Sequence, residues 1–320
     1  MTLPPEFALI ARHFRPLAGE GALDLSDDAA LLTPPPGRQL VLAADAMVEG
    51  VHYLPDDPPE TIGRKLLRVN LSDLAAMGAE PLAYLMTTAL PRGTSAEWLE
   101  GFAAGLAEDQ RGFGVQVLGG DTVSILGPAC LSLTIIGTVP PGGALRRRGA
   151  RPGDELWVSG TVGDGALGLA VLQGRLPPDP HLARRYRLPE PRLSLGVALR
   201  GLARAAMDVS DGLVQDLGHL CRAGGIGAVL ELAVLPLSPP AAALVAGDPS
   251  WLPRLAVGGD DYELLFAASP TDADRVHAAS RATGTAVTRI GRFTVGPAEV
   301  TVLGRDGGAI TPAQGGWSHF

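Results

Sequence analysis

The stretch Pro140 to Asp154, PPGGALRRRGARPGD, divides this chain. It concentrates Pro, Gly and Arg, the composition of a connection between folded bodies, and it has no helical or strand-like apolar period. The pattern on both sides is regular, so we place a boundary near residue 148. Residues 1–148 and 149–320 then form two domains, each long enough to bury its own core.

In the first half, Glu6 to Phe14 has helical apolar spacing, and Gln39 to Asp45 reads as a buried strand ending on a carboxylate. Ala46 to Pro59 is expected to be a loop. From Thr61 to Met77 the residues Ile62, Leu66, Val69, Leu74 and Met77 recur at helical intervals, with Gly78 placed to stop the helix. Leu82 to Leu90 reads as a strand, Ser95 to Arg111 as a helix begun by a good N-cap, and Val115 to Leu118 as a strand running into Gly119-Gly120-Asp121. Cys130 to Val139 closes the half as a strand. The second half restarts with strand Glu155 to Ser159, a Gly-rich turn and helix Ala166 to Gln173. This mixture predicts an α/β or α+β fold with mixed sheets packed against helices. No repeat of fixed period is present.

Composition narrows the function. Of 320 residues, 46% are hydrophobic and 19% charged, and the net charge is -8, which works against nucleic acid or an anionic membrane as partner. Cys130 and Cys221 are the only cysteines, which excludes a disulfide scaffold and points to a reducing compartment. Met1 to Ala18 lacks the pattern of a signal peptide, and no window has the length of a membrane span, so a cytoplasmic protein is expected.

Aspartate recurs where chemistry would need it. Asp27-Asp28, Asp45, Asp73, Gly120-Asp121, Asp208-Val209-Ser210-Asp211 and Gly259-Asp260-Asp261 all sit at expected element ends. Magnesium takes hard oxygen ligands and shares them with substrate phosphates, so aspartates without matching His or Cys fit it. Any single Asp is as well explained as a turn or cap residue. Asp208 and Ser210, two apart at an expected strand end, would share one face before Asp211-Gly212 opens a helix to Arg222, with Ser210 or Asp211 serving equally as its cap. Gly160 to Gly165, GTVGDG, is a weak likeness of a phosphate loop. It lacks the Walker lysine, and the chain's only lysine, Lys65, falls in an expected helix. Close packing and a tight turn explain these glycines better.

The aspartates belong to longer strings: SDDAALL, DAMVEGVH from Asp45 to His52, NLSDLAAMGAEP from Asn70 to Pro81, GGDT, SGTVGDGALGL, MDVSDGL, GGDDYELLF and GGWSHF. As an ordered set over both halves they resemble the thiamine-monophosphate kinase family, in the superfamily of aminoimidazole ribonucleotide synthetase. The resemblance implies that superfamily's two-domain fold, usually as a homodimer, with ATP and several magnesium ions held by the N-terminal domain and covered by the C-terminal one. It implies metal ligands at Asp28, Asp45, Asp73, Asp121, Asp208 and Asp211, and ATP contacts at Gly120, Asp121, Arg147 and Ser210. It places His52, Asp260 and Trp317 against thiamine monophosphate. His52 alone would read as a solvated loop residue, and Trp317 either plugs a groove or stacks on a ring of the acceptor.

The implied chemistry suits such residues. A phosphate monoester is largely deprotonated at neutral pH, so as an acceptor it needs no general base. The task is to bring two anions together in line, which metal ions and an Arg perform. Two departures from the family pattern are Ala43-Ala44 before Asp45, where hydroxyl residues are frequent, and Ser26 in place of a glycine. The competing readings are a sister reaction such as ring closure by an aminoimidazole ribonucleotide synthetase-like enzyme, and a nucleotide-binding homologue without turnover.

Overall fold

Two sheets organise the chain, one in each of two units of the computed structural model, which describes residues 5–312 and 315–318. The first unit takes in Met1–Leu74 and Glu80–Gly142, the second Ala75–Ala79 and Gly143–Phe320.

The first unit begins with the short helix α1 (Pro5–Leu9), continued by a π-helical turn over Ile10–Phe14. Strand β1 (Gln39–Val48), helix α2 (Pro59–Ala76), strand β2 (Glu80–Pro91), helix α3 (Ala96–Phe113) and strands β3 (Gln116–Ile125) and β4 (Cys130–Val139) follow. The sheet order is β1-β4-β2-β3, with β2 and β3 parallel and the other pairs antiparallel. Ser95 caps α3 by accepting the Trp98 N–H, and Gly114 ends it in a left-handed conformation. The two long helices approach closely because glycine faces backbone: a Cβ on Gly105 would lie 2.0 Å from the Glu60 carbonyl oxygen. Leu66, Leu67 and Leu71 of α2, Phe102 and Leu106 of α3, and Leu131, Leu133 and Ile135 of β4 are all buried.

In the second unit the elements are β5 (Glu155–Ser159), α4 (Asp164–Leu172), α5 (Pro180–Arg187), α6 (Leu193–Ala198), β6 (Ala205–Asp208), α7 (Leu213–Gly224) and β7 (Gly227–Glu231). Then come α8 (Pro239–Gly247), α9 (Trp251–Leu255), β8 (Leu264–Ala268), α10 (Ala273–Thr283), β9 (Val287–Thr294), β10 (Val300–Leu303) and β11 (Ala309–Ile310). They build a seven-stranded sheet in the order β11-β10-β7-β9-β5-β8-β6. One apolar cluster around Leu213, Leu217, Leu230 and Leu265 and another around Leu195, Leu199, Trp157 and Phe266 fill it.

The mixed α/β architecture is the expected one, and two strands run further than expected. β1 continues through Val48 and β3 through Ile125, so Asp45 and Asp121 lie inside strands, not at their ends. Asp45 is opposite Leu133 and Asp121 opposite Thr87, in the ladders at the two edges of the sheet. Cys221 is buried, Cys130 half-buried, and neither is bridged. Among the described residues no helix is long and apolar enough to cross a membrane.

Candidate functional site

In the first unit a cleft of about 640 Å³ is lined by Asp27, Asp28, Gly120 and Asp121 together with the apolar Phe7, Ile10, Phe14 and Leu25. Asp28 and Asp121 are exposed. Gly120 has φ of 151°, and a Cβ there would lie 1.7 Å from the Met86 carbonyl oxygen, so the strand accepts only glycine at this place. Leu23, Asp24 and Leu25 hold φ of 51°, 58° and 53° just before the paired aspartates. Three successive left-handed residues without glycine are strained, as backbone beside a ligand site often is. Ser26 itself is outside that region at φ of -117°, and its Oγ donates to the Leu23 carbonyl at 2.7 Å. Serine in place of glycine therefore costs this turn nothing.

Asn70 of α2 ties that helix to the main chain at Asp45. The buried Asn70 side chain accepts the Asp45 main-chain N–H at 3.0 Å and donates to the Leu66 carbonyl at 2.9 Å. Asp73 stands three residues further along α2, on the same helix face. His52 follows β1 in a tight loop, half-buried, with Nδ1 accepting the Val48 N–H at 2.9 Å.

The second unit gathers the remaining expected residues around the end of β6. Asp208 closes that strand and is buried, so it is not the exposed turn aspartate its neighbours suggest. The cap of α7 is neither Ser210 nor Asp211 but Gly212, without a side-chain bond of its own. Asp216, one turn into the helix, replaces it: one carboxylate oxygen accepts the N–H groups of Ser210, Asp211 and Gly212, each at 3.1 Å. Burial, and then the charges of Asp208 and Asp211, push the Asp216 carboxyl up to about 7 against those donors. Mutual repulsion of this kind is relieved by a cation, and the carboxylates of Asp211 and Asp216 approach the His219 ring within 4.8 Å. Arg147 is exposed, and its charge reaches His219, whose pKa is lowered by burial and by Arg222 and Arg147. The Ala206 N–H bonds the carbonyl of the preceding residue, Arg146, at 3.0 Å.

The Gly259 to Tyr262 turn lies alongside. Its Asp260 N–H donates to the Ser210 carbonyl at 2.9 Å and its Tyr262 N–H to the Val209 carbonyl at 2.7 Å. Asp260 and Tyr262 have φ of 67° and 53°, and the residue between them anchors the strain. The fully buried Asp261 carboxylate accepts the Gly163 N–H at 2.7 Å and the Gly165 N–H at 3.0 Å, while Arg185 donates to its carbonyl. The GTVGDG amides are thus engaged by the protein's own carboxylate. Glu263, also buried, accepts from Ser159 at 2.6 Å and from Arg185 at 2.9 Å, and pairs with Arg192. The C-terminal segment completes the group. Trp317 donates its N–H to the Asp211 carbonyl, and Gln215 donates to the Trp317 carbonyl at 2.7 Å. Its indole remains exposed, and His319 and Phe320 of GGWSHF lie outside the described residues.

The first unit therefore holds Asp28, Gly120 and Asp121 in one cleft and ties the Asp45 main chain to Asn70 of the helix that carries Asp73, and the second holds Asp208, Ser210, Asp211, Asp260 and Trp317 together. The donor set is hard oxygen throughout, which fits magnesium. Sequence reading missed Asp216, and it named Asp261 beside Asp260 without the amide-holding role it has here. For Asp216 a signal existed, an acid in the first turn of a helix that opens on SDG. The role of Asp261 carries none, because its partners are about a hundred residues away.

Comparison with known proteins places the chain in a family. The family model for the N-terminal domain of AIR synthase related proteins matches residues 26–139, and the model for their C-terminal domain matches residues 151–304. The thiamine-monophosphate kinase of Caulobacter vibrioides is 47% identical, over 99% of this chain and 91% of its own length. The crystal structure of thiamine-monophosphate kinase from Stenotrophomonas maltophilia K279a is similar at a TM-score of 0.84 and 40% identity, covering 96% of this chain and 98% of that one. AaThiL complexed with AMPPCP and TMP is similar at a TM-score of 0.79 and 30% identity, covering 92% of this chain and 91% of its own.

Proposed function

The chain belongs to the AIR synthase related family, among its thiamine-monophosphate kinases, and from this we infer that it phosphorylates thiamine monophosphate to thiamine diphosphate at the expense of ATP. It is a phosphotransferase whose acceptor is itself a phosphate. The observation that carries the reading in this molecule is the cleft of the first unit, which Asp28, Gly120 and Asp121 line together with apolar side chains. The apolar side chains suit a nucleotide base and the carboxylates suit metal-bound phosphates.

We assign magnesium to Asp28, Asp45, Asp73 and Asp121 of the first unit and to Asp208 and Asp211 of the second. Bound there, it supplies the positive charge that lets donor and acceptor phosphates approach each other. The protein's own contribution is placement. Gly120 lets β3 pack against the Met86 main chain and so sets the strand that carries Asp121, and Asn70 fixes the β1 backbone at Asp45. Asp216 aims the Ser210 to Gly212 turn, from which Ser210 reaches ATP together with Arg147. His52, Asp260 and Trp317 receive the acceptor. The strained backbone on either side of Asp261 supports this, since it holds Asp260 in one conformation. Since the acceptor oxygen is already anionic, none of these residues acts as a base.

A homodimer accompanies this reading. Edge strand β1 exposes Leu40 at 39% and Leu42 at 62%, an apolar edge that a second copy would cover.

Incubation with ATP, magnesium and thiamine monophosphate is expected to yield thiamine diphosphate and ADP in equal amounts. ATP binding without that product, with turnover of an aminoimidazole substrate instead, would overturn the assignment in favour of a sister reaction. ATP binding with no turnover of either would leave a nucleotide-binding homologue.

A further inference from the structure

Lys65 is the only lysine among 26 basic Lys and Arg residues, and only 2% of it is exposed. Burying an ammonium group is costly, and a chain that uses arginine everywhere else keeps the compact, three-donor head at this one place. From α2, its Nζ donates to the main-chain carbonyl of His52 at 2.8 Å. The loop it reaches is closely tied. The His52 N–H donates to the Val48 carbonyl at 2.9 Å, Gly50 N–H to the Tyr53 carbonyl at 2.8 Å, and Leu54 N–H to the Asp57 carboxylate at 2.9 Å.

These bonds decide the state of the imidazole. A backbone amide can only donate, so the Val48 N–H on Nδ1 requires that nitrogen to be unprotonated, and the neutral ring carries its hydrogen on Nε2. An Nε2–H is a donor suited to an anionic oxygen. We propose that Lys65 is a positioning residue for the acceptor: it fixes the His52 main chain so that the ring, in the tautomer set by Val48, donates from Nε2 to the phosphate of thiamine monophosphate. The proposal rests on the assignment of His52 to the acceptor made above.

The test compares Lys65→Met, His52→Ala and the double variant in the magnesium-ATP kinase assay, with thermal melts of each. Lys65→Met is expected to raise KM for thiamine monophosphate by roughly tenfold, the size of one hydrogen bond to a charged group, while KM for ATP stays within about twofold. The double variant should be no worse than His52→Ala alone. Additive losses, or a fall in kcat with both KM values disturbed in step with the melting temperature, would show a purely structural lysine and overturn the proposal. An unchanged acceptor KM in His52→Ala removes His52 from the acceptor site, and this proposal with it. Where Lys65→Met does not fold, Lys65→Gln carries the same comparison. In the unaltered protein, nitrogen NMR should find the His52 proton on Nε2 and a shift there on adding thiamine monophosphate; a proton on Nδ1 would refute the tautomer.

Discussion

The main-chain N–H of Trp317 donates to the main-chain carbonyl of Asp211 at 2.9 Å. A residue assigned to the acceptor is thereby held against one assigned to metal, by atoms that no side-chain substitution removes. That main-chain bond is one a substitution of the Trp317 side chain leaves in place.

Trp317→Ala should act mainly on binding of the acceptor. The expected result is a rise in KM for thiamine monophosphate of about tenfold, the scale of a ring contact, with kcat retained. Steady-state kinetics in both substrates check this, and an unchanged acceptor KM would take Trp317 out of the site.

Asp121→Asn tests the metal assignment. Asp121 is exposed, and its side chain bonds only the next residue, Thr122, among the hydrogen bonds described. Its loss should lower kcat by about a hundredfold or more while the melting temperature moves little. Near-normal turnover at saturating magnesium would contradict the role.

Asp216→Ala should damage both stability and activity, because three N–H groups lose their acceptor at once. We expect about 2 kcal/mol of destabilisation in denaturant titration, together with a fall in kcat. Loss of stability with kcat intact would mean that the Ser210 to Gly212 turn does not matter to the chemistry.

The pH dependence of stability should report Asp261. Burial raises its carboxyl from 3.8 to about 8, opposed by the Gly163 and Gly165 donors. The folded state thus retains a proton that the unfolded chain releases. This stabilisation is complete below pH 3.8 and is lost as pH rises through about 8. Melting temperature should fall from pH 5 to pH 8 in the unaltered protein and fall less in Asp261→Asn. Parallel curves would assign the dependence to other groups.

Leu42→Asp should weaken self-association through the β1 edge. Light scattering over a concentration series should find a dimer for the unaltered chain and a shift to monomer in the variant. A monomer in both would refute the dimer.

The mixed architecture was legible because helical and strand periods alternate clearly and PPGGALRRRGARPGD interrupts them. Strand ends were less so. Asp45 and Asp121 look like terminators by composition, yet ladder pairing to Leu133 and Thr87 carries the strands past them, which no local pattern reports. The grouping of Asp208, Ser210 and Asp211 was readable from spacing, while their support was not. Asp261 meets Gly163 across the unit, and Asn70 reaches Asp45 between elements, so both depend on tertiary approach. Asp216 shows the intermediate case: its place in the first turn of α7 is visible, but the choice of Gly212 as cap depends on a φ of 131° there.

The burial of Lys65 makes the protein opaque to one whole class of reagents. Apart from the six histidines every other basic side chain is a guanidinium, so amine-directed crosslinkers and acetyl donors meet no accessible side-chain amine on the folded molecule. Opening of the packing around α2 would expose a single one, and the rate of its modification would then clock how often that packing comes apart.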